Sequence, residues 1–363
     1  MKKFAFISIA LAITALISCS ESDSDSSESE LPESELDGGY KFDIINEDVL
    51  PARSYGSISS SKMLEGFFVT SIKFDKSGNA WIGTFKQGVI KYNDRETLFF
   101  DSSNSLFNDD MVINSLAIDS KNNIWIGTNG LIKYDGKEFT LYNSGNTPIP
   151  EDYIHSINID KDDNIWFSSS RNMSGGVVKF DGNNKWVTHA YKDPKKGVEG
   201  CIISGIAIAG DNVWAGIHAS DYHLMKISSD IKTNYIGKNQ GLEAKSLGDL
   251  CADKKNNVYM LLDYSLSSES YNSPHMYVTD GKSIRIITCP YGEIGRINID
   301  SKDNVWCVRL FKSYDLLRYN GIEWVDFKIF PEDYNNAIFC IEEAPDGKIW
   351  LGTGKGVYII DVK

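Results

Sequence analysis

Seven times along the 363-residue chain a polar turn runs into an apolar strand that carries an aromatic residue at a fixed place. The copies are SGNAW at Trp81, KNNIW at Trp125, DDNIW at Trp166, GDNVW at Trp214, KNNVY at Tyr259, KDNVW at Trp306 and DGKIW at Trp350, spaced 41 to 48 residues apart. A period of this size means one supersecondary unit, which cannot bury its apolar face alone and must stack on its neighbours.

Each copy has the same inner order. A strand such as SIKFD (71–75), SLAID (115–119), SINID (156–160) or RINID (296–300) leads into a polar turn: KSGN, SKNN, KDDN or SKDN. Asn and Asp close such turns by bonding nearby backbone, and Gly or Asn accepts positive φ there. A second strand (IWIGT), a third (GLIKYD, GVVKFD, DLLRYN) and a fourth (EFTLYN, KWVTHAY, EWVDFKI) follow. Four short antiparallel strands per repeat, without helical periodicity, make a propeller blade. The expected fold is all-β, a seven-bladed β-propeller of four-stranded antiparallel blades.

In AWIG and IWIG the alternation of a half-exposed strand is lost, as it must be where both faces lie between neighbouring blades. The aromatic is expected to pack on the adjacent blade, and the glycine after it to permit close approach. The seventh copy ends with its third strand, VYIIDVK (357–363). KFDIINEDVLP (41–51) matches the fourth-strand segment EFTLYNSGNTPIP of blade two. It is the expected closing strand, pairing onto blade seven and removing an exposed edge.

Ahead of the repeats, Lys2 and Lys3 precede the 14-residue run FAFISIALAITALI, too short to span a bilayer but suited to a secretory signal. Leu16-Ile17-Ser18-Cys19 resembles the lipobox of bacterial lipoproteins, which implies acylation at Cys19 and anchoring without a spanning helix. Residues 20–39 hold eight acids and no base, a self-repelling tether. Placed after an acylated Cys, the stretch also resembles the export signals of surface lipoproteins in Bacteroidetes-type bacteria. The expected organisation is a signal peptide (1–18), a disordered tether (19–39) and the propeller (40–363). The expected location is the outer membrane, facing the periplasm or the cell surface.

Residues 40–363 carry 42 of the 50 acids against 35 Lys and Arg, with no basic stripe. That argues against nucleic acid and anionic lipid as partners. Cys201, Cys251, Cys289, Cys307 and Cys340 are scattered and odd in number, so neither a disulfide framework nor a zinc site is expected.

The pattern I-x-x-D-x-x-x-N-[IV]-W-[IF]-G-T-x-x-G-[LV]-x-[KR]-[YF] resembles the two-component regulator propeller repeat over residues 69–363. That resemblance implies kinship with the sensor domains of hybrid two-component systems, many of which detect polysaccharide fragments in gut Bacteroidetes. Those sensors commonly have two propellers, a β-sandwich, a membrane helix and a kinase. A single propeller on a lipid anchor is therefore not expected to signal directly.

The connections between second and third strands vary most. Counted from the anchor aromatic, they are 13 to 20 residues in blades three to six and 9 to 11 elsewhere. The Gly-Thr after the anchor survives only in the short blades, at Gly83-Thr84, Gly127-Thr128 and Gly352-Thr353. These connections emerge on one face, where a rigid scaffold usually carries its binding residues. The arc offers Arg171, Asn172, His218, Asp221, Tyr222, His223, Tyr264, Tyr271, His275, Arg309, Phe311 and Tyr314. Aromatic faces among Arg, Asp and His suit a sugar, and equally a peptide or protein loop.

There is no GxSxG, HExxH or phosphate-cradling glycine loop. The Asp75–Asn79, Asp119–Asn123, Asp160–Asn164 and Asp300–Asn304 turns lack the alternating ligands of a calcium loop. No metal or other cofactor is expected. His218 and His223, with Asp221 between them, are the weak candidates for an acid and a base. Three readings stand: a non-catalytic binding module for an oligosaccharide or polysaccharide fragment or a protein partner; a propeller lyase or hydrolase acting on polysaccharide; and a structural subunit of an outer-membrane uptake or sensing complex.

Overall fold

The computed structural model describes residues 43–46, 50–57, 60–171, 174–190, 192–193, 198–218, 222–228, 233–237, 242, 247–262, 275–309, 315–329 and 336–362. The expected signal, Cys19 and the acidic tether lie outside them. Blade one comprises Val69–Phe74, Ala80–Thr84, Val89–Tyr92 and Thr97–Phe100, in that spatial order and antiparallel throughout. Blades two to seven begin with Ser115–Ile118, Ile157–Ile159, Ile202–Ala209, Leu247–Ala252, Ile294–Ile299 and Ile338–Glu343. These first strands touch one another all the way round, that of blade seven meeting that of blade one, and form the inner wall.

Seven apolar clusters fill the gaps between blades, and each joins one anchor aromatic to the following blade. Trp81 packs with Leu116, Ile126 and Ile132 of blade two. Trp350 packs with Val69, Ile72 and Ile82 of blade one, where Phe74 meets its ring edge-on at 5.0 Å. Burying one such side chain contributes on the order of 2–3 kcal/mol. The glycine of the repeat sits in the same gap: a Cβ on Gly83 would stand 2.5 Å from Ile113, and one on Gly352 2.7 Å from Val69.

The repeat's polar residues serve the anchor as well as the turn. Asp75 Oδ1 accepts the Ser77 and Asn79 amides, while Oδ2 accepts Asn79 Nδ2 at 2.8 Å and Trp81 Nε1 at 3.0 Å. Asp119, Asp160 and Asp300 accept the indole N–H of Trp125, Trp166 and Trp306 in the same way, and Asp253 accepts the Tyr259 hydroxyl. Over the indole faces lie Lys91, Lys133, Lys179, Lys226 and Arg318 of the third strands, 5.0 to 5.7 Å from the ring centroids. The [KR] of the repeat is thus the cation of a cation–π pair.

Burial raises the Asp75 carboxyl, but hydrogen bonds from Asn79, Trp81 and Ser77 outweigh it and hold it below the ordinary value. Asp160 is lowered likewise, burial being overcome by bonds from Trp166 and Asn164. A depressed folded pKa gives stability that is complete above the unfolded carboxylate value, about 3.9, and is lost as pH falls through the folded one. Unfolding free energy should therefore hold from neutrality to about pH 4 and fall below it. Asp75→Asn should flatten part of that acid limb in denaturant titrations at stepped pH; an unchanged limb would exclude Asp75 as a source.

The first-to-second turns also tie one blade to the next. The amides of Lys76, Ser120 and Lys254 donate to the Oδ1 of Asn122, Asp163 and Asp303 in the following turn, at 3.1, 2.9 and 3.3 Å. Those three acceptors hold φ of 68°, 60° and 62°. At the closing seam Gly78 has no such side chain, and a Lys73–Glu342 ion pair at 2.7 Å makes the tie.

The N-terminal pairing differs from expectation in register. Ser60–Met63, not 41–51, pairs antiparallel with Gly356–Ile360 as the fourth strand of blade seven. Asp43–Asn46 instead lies parallel on Ser283–Thr288 as a fifth strand of blade five, and Ala52–Ser57 lies parallel on Trp324–Lys328 of blade six. Leu50 packs into the blade five–six core, whereas Met63, Leu64 and Phe67 pack into the blade seven–one core. Each strand turns about 20–25° from its neighbour, so a fifth strand lies roughly perpendicular to the first and runs along the circumference. One segment can thus pass from blade five to six to seven. An added edge strand carries no repeat signature, so the sequence pattern could not register it.

Candidate ligand site on the open face

The strand order gives the ring two unlike faces. One carries the first-to-second turns, short and bonded to each other. The other carries the second-to-third and inter-blade connections and holds the variation.

In the short blades Thr84 and Thr353 donate through Oγ1 to the carbonyls of Gly88 and Gly356, closing the second-to-third turn. Thr128 of blade two keeps the motif without this bond, and blade four keeps the glycine, at Gly216, in an extended strand. Blade three extends as strand rather than loop: Ile165–Arg171 pairs with Ser174–Phe180 through Arg171 and Ser174. Ser168, Ser169 and Ser170 are buried; their Oγ atoms accept the amides of His155, Glu151 and Ile203, pinning the hairpin to the chain on either side.

The candidate residues of the arc separate. Arg171 is exposed at the tip of blade three. His218 ends the second strand of blade four, opposite Ile202. Tyr222 and His223, expected on an open rim, begin the third strand and are 9% and 6% exposed. Tyr222 packs in the blade three–four core with its ring 5.9 Å from Tyr235. Extending the strand draws both side chains inward, so neither is offered to the rim. Arg309 bridges Asp315 and, at 3.6 Å, Asp326, both buried. Burial raises the Asp326 carboxyl and Arg309 opposes it, so the guanidinium is a counter-ion to buried acids. His275 is half-buried, 3.1 Å from Thr288 Oγ1. Asn172, Asp221, Tyr264, Tyr271, Phe311 and Tyr314 lie outside the described residues. Among the described residues no group of three or more His, Cys, Asp or Glu could hold a metal ion.

The open face has another constellation, at the top of the inner wall. Phe68 immediately precedes the first strand of blade one, Phe85 follows its second strand, and Phe339 lies in the first strand of blade seven. Phe68 stands 4.4 Å from Phe339 and 5.4 Å from Phe85 between ring centroids, and all three are half-exposed. Phe339 falls at the register shift between Ile338 and Cys340, a bulge of the kind that re-aims a side chain. Around the same wall, ahead of blade three, Tyr153 stacks on His155 at 6.3 Å. Burial raises the Tyr153 phenol, and the charge of Arg171 opposes the rise. The inner wall thus carries an aromatic cluster at the blade seven–one junction and a phenol and imidazole at the entry to blade three. Comparison of second-to-third connections passes over Phe68, Tyr153, His155 and Phe339 because they lead into or lie in first strands, in EGFFVTS, DYIHSIN and NAIFCIE. Their signal was an aromatic just ahead of or inside a first strand, at a position the core does not require.

A closed ring of seven four-stranded blades, with one face of mutually bonded turns and one of variable connections, defines a seven-bladed β-propeller. The family model described as two component regulator propeller matches residues 105–130 and 335–355, where parts of these repeats lie. No curated protein matches the chain. Among solved structures, streptogramin B lyase is similar at 14% identity, covering 84% of this chain and 97% of that one with a TM-score of 0.65. The extracellular domain of BT4673 from B. thetaiotaomicron, described as a one component system, is similar at 16% identity with a TM-score of 0.63. That match covers 84% of this chain but only 42% of the other, so this chain spans less than half of it. YCF48 bound to D1 peptide is similar at 11% identity, covering 86% of this chain and 100% of that one with a TM-score of 0.61. At these identities the likeness is one of fold.

Proposed function

We propose that the protein is an extracytoplasmic, lipid-anchored binding module that holds a glycan fragment at the mouth of its open face without turning it over. The observation that carries this reading is the half-exposed Phe68–Phe85–Phe339 cluster at the axis. Three large apolar rings in mutual contact and in reach of solvent mark a surface that meets something. Their faces suit the C–H face of a pyranose, and Tyr153 and His155, further round the same wall, suit hydroxyls. The acyl anchor at Cys19 and the acidic tether would hold this face clear of the membrane, in keeping with the extracellular location named for BT4673. Burial of His223 leaves the two-histidine acid–base scheme without one member at the rim.

A thermal-shift screen against neutral and acidic oligosaccharides tests the reading, because a ligand selective for the folded state raises the midpoint once its concentration passes Kd. A dose-dependent rise that Phe339→Ala reduces by about tenfold in affinity is the expected result. A flat response over a broad panel, or a shift indifferent to Phe339, counts against it.

A further inference from the structure

We infer that the open face carries a second, outer groove on blade one, continuous with the mouth, so that the ligand is a chain of several sugar units. This rests on the reading of the mouth just given. Phe67 and Phe68 are adjacent in the chain and serve different sides. Phe68 joins Phe339 and Phe85, whereas Phe67 stacks on Phe99 of the fourth strand, ring centroids 5.8 Å and planes 23° apart. Phe99 is 44% exposed.

The two rings sit in a groove of about 410 Å³ lined also by Phe107, Gln87, Asp101 and Asp109. Its volume falls in the range of roughly 300–1,000 Å³ typical of small-ligand sites. Lys86 joins mouth to groove: it follows Phe85 in the chain, and its ammonium lies 5.7 Å from that ring and 3.0 Å from Asp110.

The chemistry selects the occupant. Asn104 Nδ2 already donates to the Phe99 carbonyl at 2.8 Å, so an extended peptide cannot add to this strand by main-chain pairing at that point. What remains is ring faces, the Gln87 amide, the Lys86 ammonium already paired with Asp110, and carboxylate acceptors. Asp101 uses Oδ1 on Ser103 and Asp109 uses Oδ1 on Ser102. Each Oδ2 is an acceptor for a hydroxyl of a neutral sugar, and an acidic sugar would be repelled. A neutral oligosaccharide stacked first on the mouth and then on Phe67 and Phe99 meets both demands.

The test is titration calorimetry of the whole chain with length ladders, dimer to octamer, of glucose, xylose and mannose oligosaccharides. Affinity should rise with length until both platforms are covered. Phe99→Ala, at an exposed site, should cost about tenfold for the longer members and nothing for the shortest, whereas Phe339→Ala should weaken all of them. If Phe99→Ala binds every length as the wild type does while Phe339→Ala weakens them all, the groove is overturned and the mouth stands. If Phe99→Ala abolishes binding and Phe339→Ala changes nothing, the mouth reading fails and the continuity proposed here fails with it. If no ladder binds the wild type, both fall. Phe99→Tyr, which keeps the ring, should restore length dependence and so separates stacking from a folding defect.

Discussion

Gly352→Ala should lower the unfolding free energy by about 2–3 kcal/mol, read as a lower denaturant midpoint at unchanged slope. The reason lies at the ring's closing seam. A methyl there would stand 2.7 Å from Val69 Cγ1 of blade one and closer still to Cys340 Sγ. Both neighbours belong to first strands of the inner wall, where interdigitated cores resist displacement. Blade one cannot retreat, because Lys73 is tied to Glu342 and Phe74 rests on Trp350. Trimming the opposing side chain should relieve the clash, so Val69→Ala with Gly352→Ala should lose less than the two separate losses together. A neutral Gly352→Ala would mean that the blades are not packed as closely as the repeat's glycine implies.

Asp300→Ala should cost more than an ordinary surface substitution, about 2–4 kcal/mol. The carboxylate accepts the amides of Lys302 and Asn304, the Asn304 side chain and the Trp306 indole, the last at 2.8 Å. Removing it strands the indole N–H of a residue only 3% exposed. Trp306→Phe should cost less in the Asp300→Ala background than alone, since the donor it removes is already unpartnered. Blade seven shows that the fold can do without the device: Ala344 takes the Asp position, and its amide bonds the Lys348 carbonyl as the Asp amides bond their turns. Equal and additive losses would show that the Asp serves the turn alone.

The blade count, the strand order, the inter-blade anchor and the role of the glycine were legible because each is repeated, and repetition turns a weak local pattern into a register. The part of Asp75 or Asp300 as an indole acceptor was hidden by its other part, since a DxxxN turn explains itself without the Trp two residues further on. The place of the segment 41–51 is illegible for the opposite reason: it occurs once, and edge pairing asks for little beyond extended backbone. Among the site residues, Tyr222 and His223 looked like rim because the extra length of their hairpin was taken as loop, whereas strand pairing carries them into the core. Arg309 looked available because its carboxylate partners are separated from it in sequence. Phe68, Phe85 and Phe339 carry no length variation to mark them, and only the fold brings their rings together.

The measurement that bears most directly on the binding mouth is a crystal structure of the protein with the oligosaccharide that gives the largest thermal shift. The account predicts density for a pyranose ring lying on Phe68, Phe85 and Phe339, with hydroxyls toward Tyr153, His155 or Arg171. Density on the face of the bonded turns, or on the outer wall with the mouth empty, would contradict it.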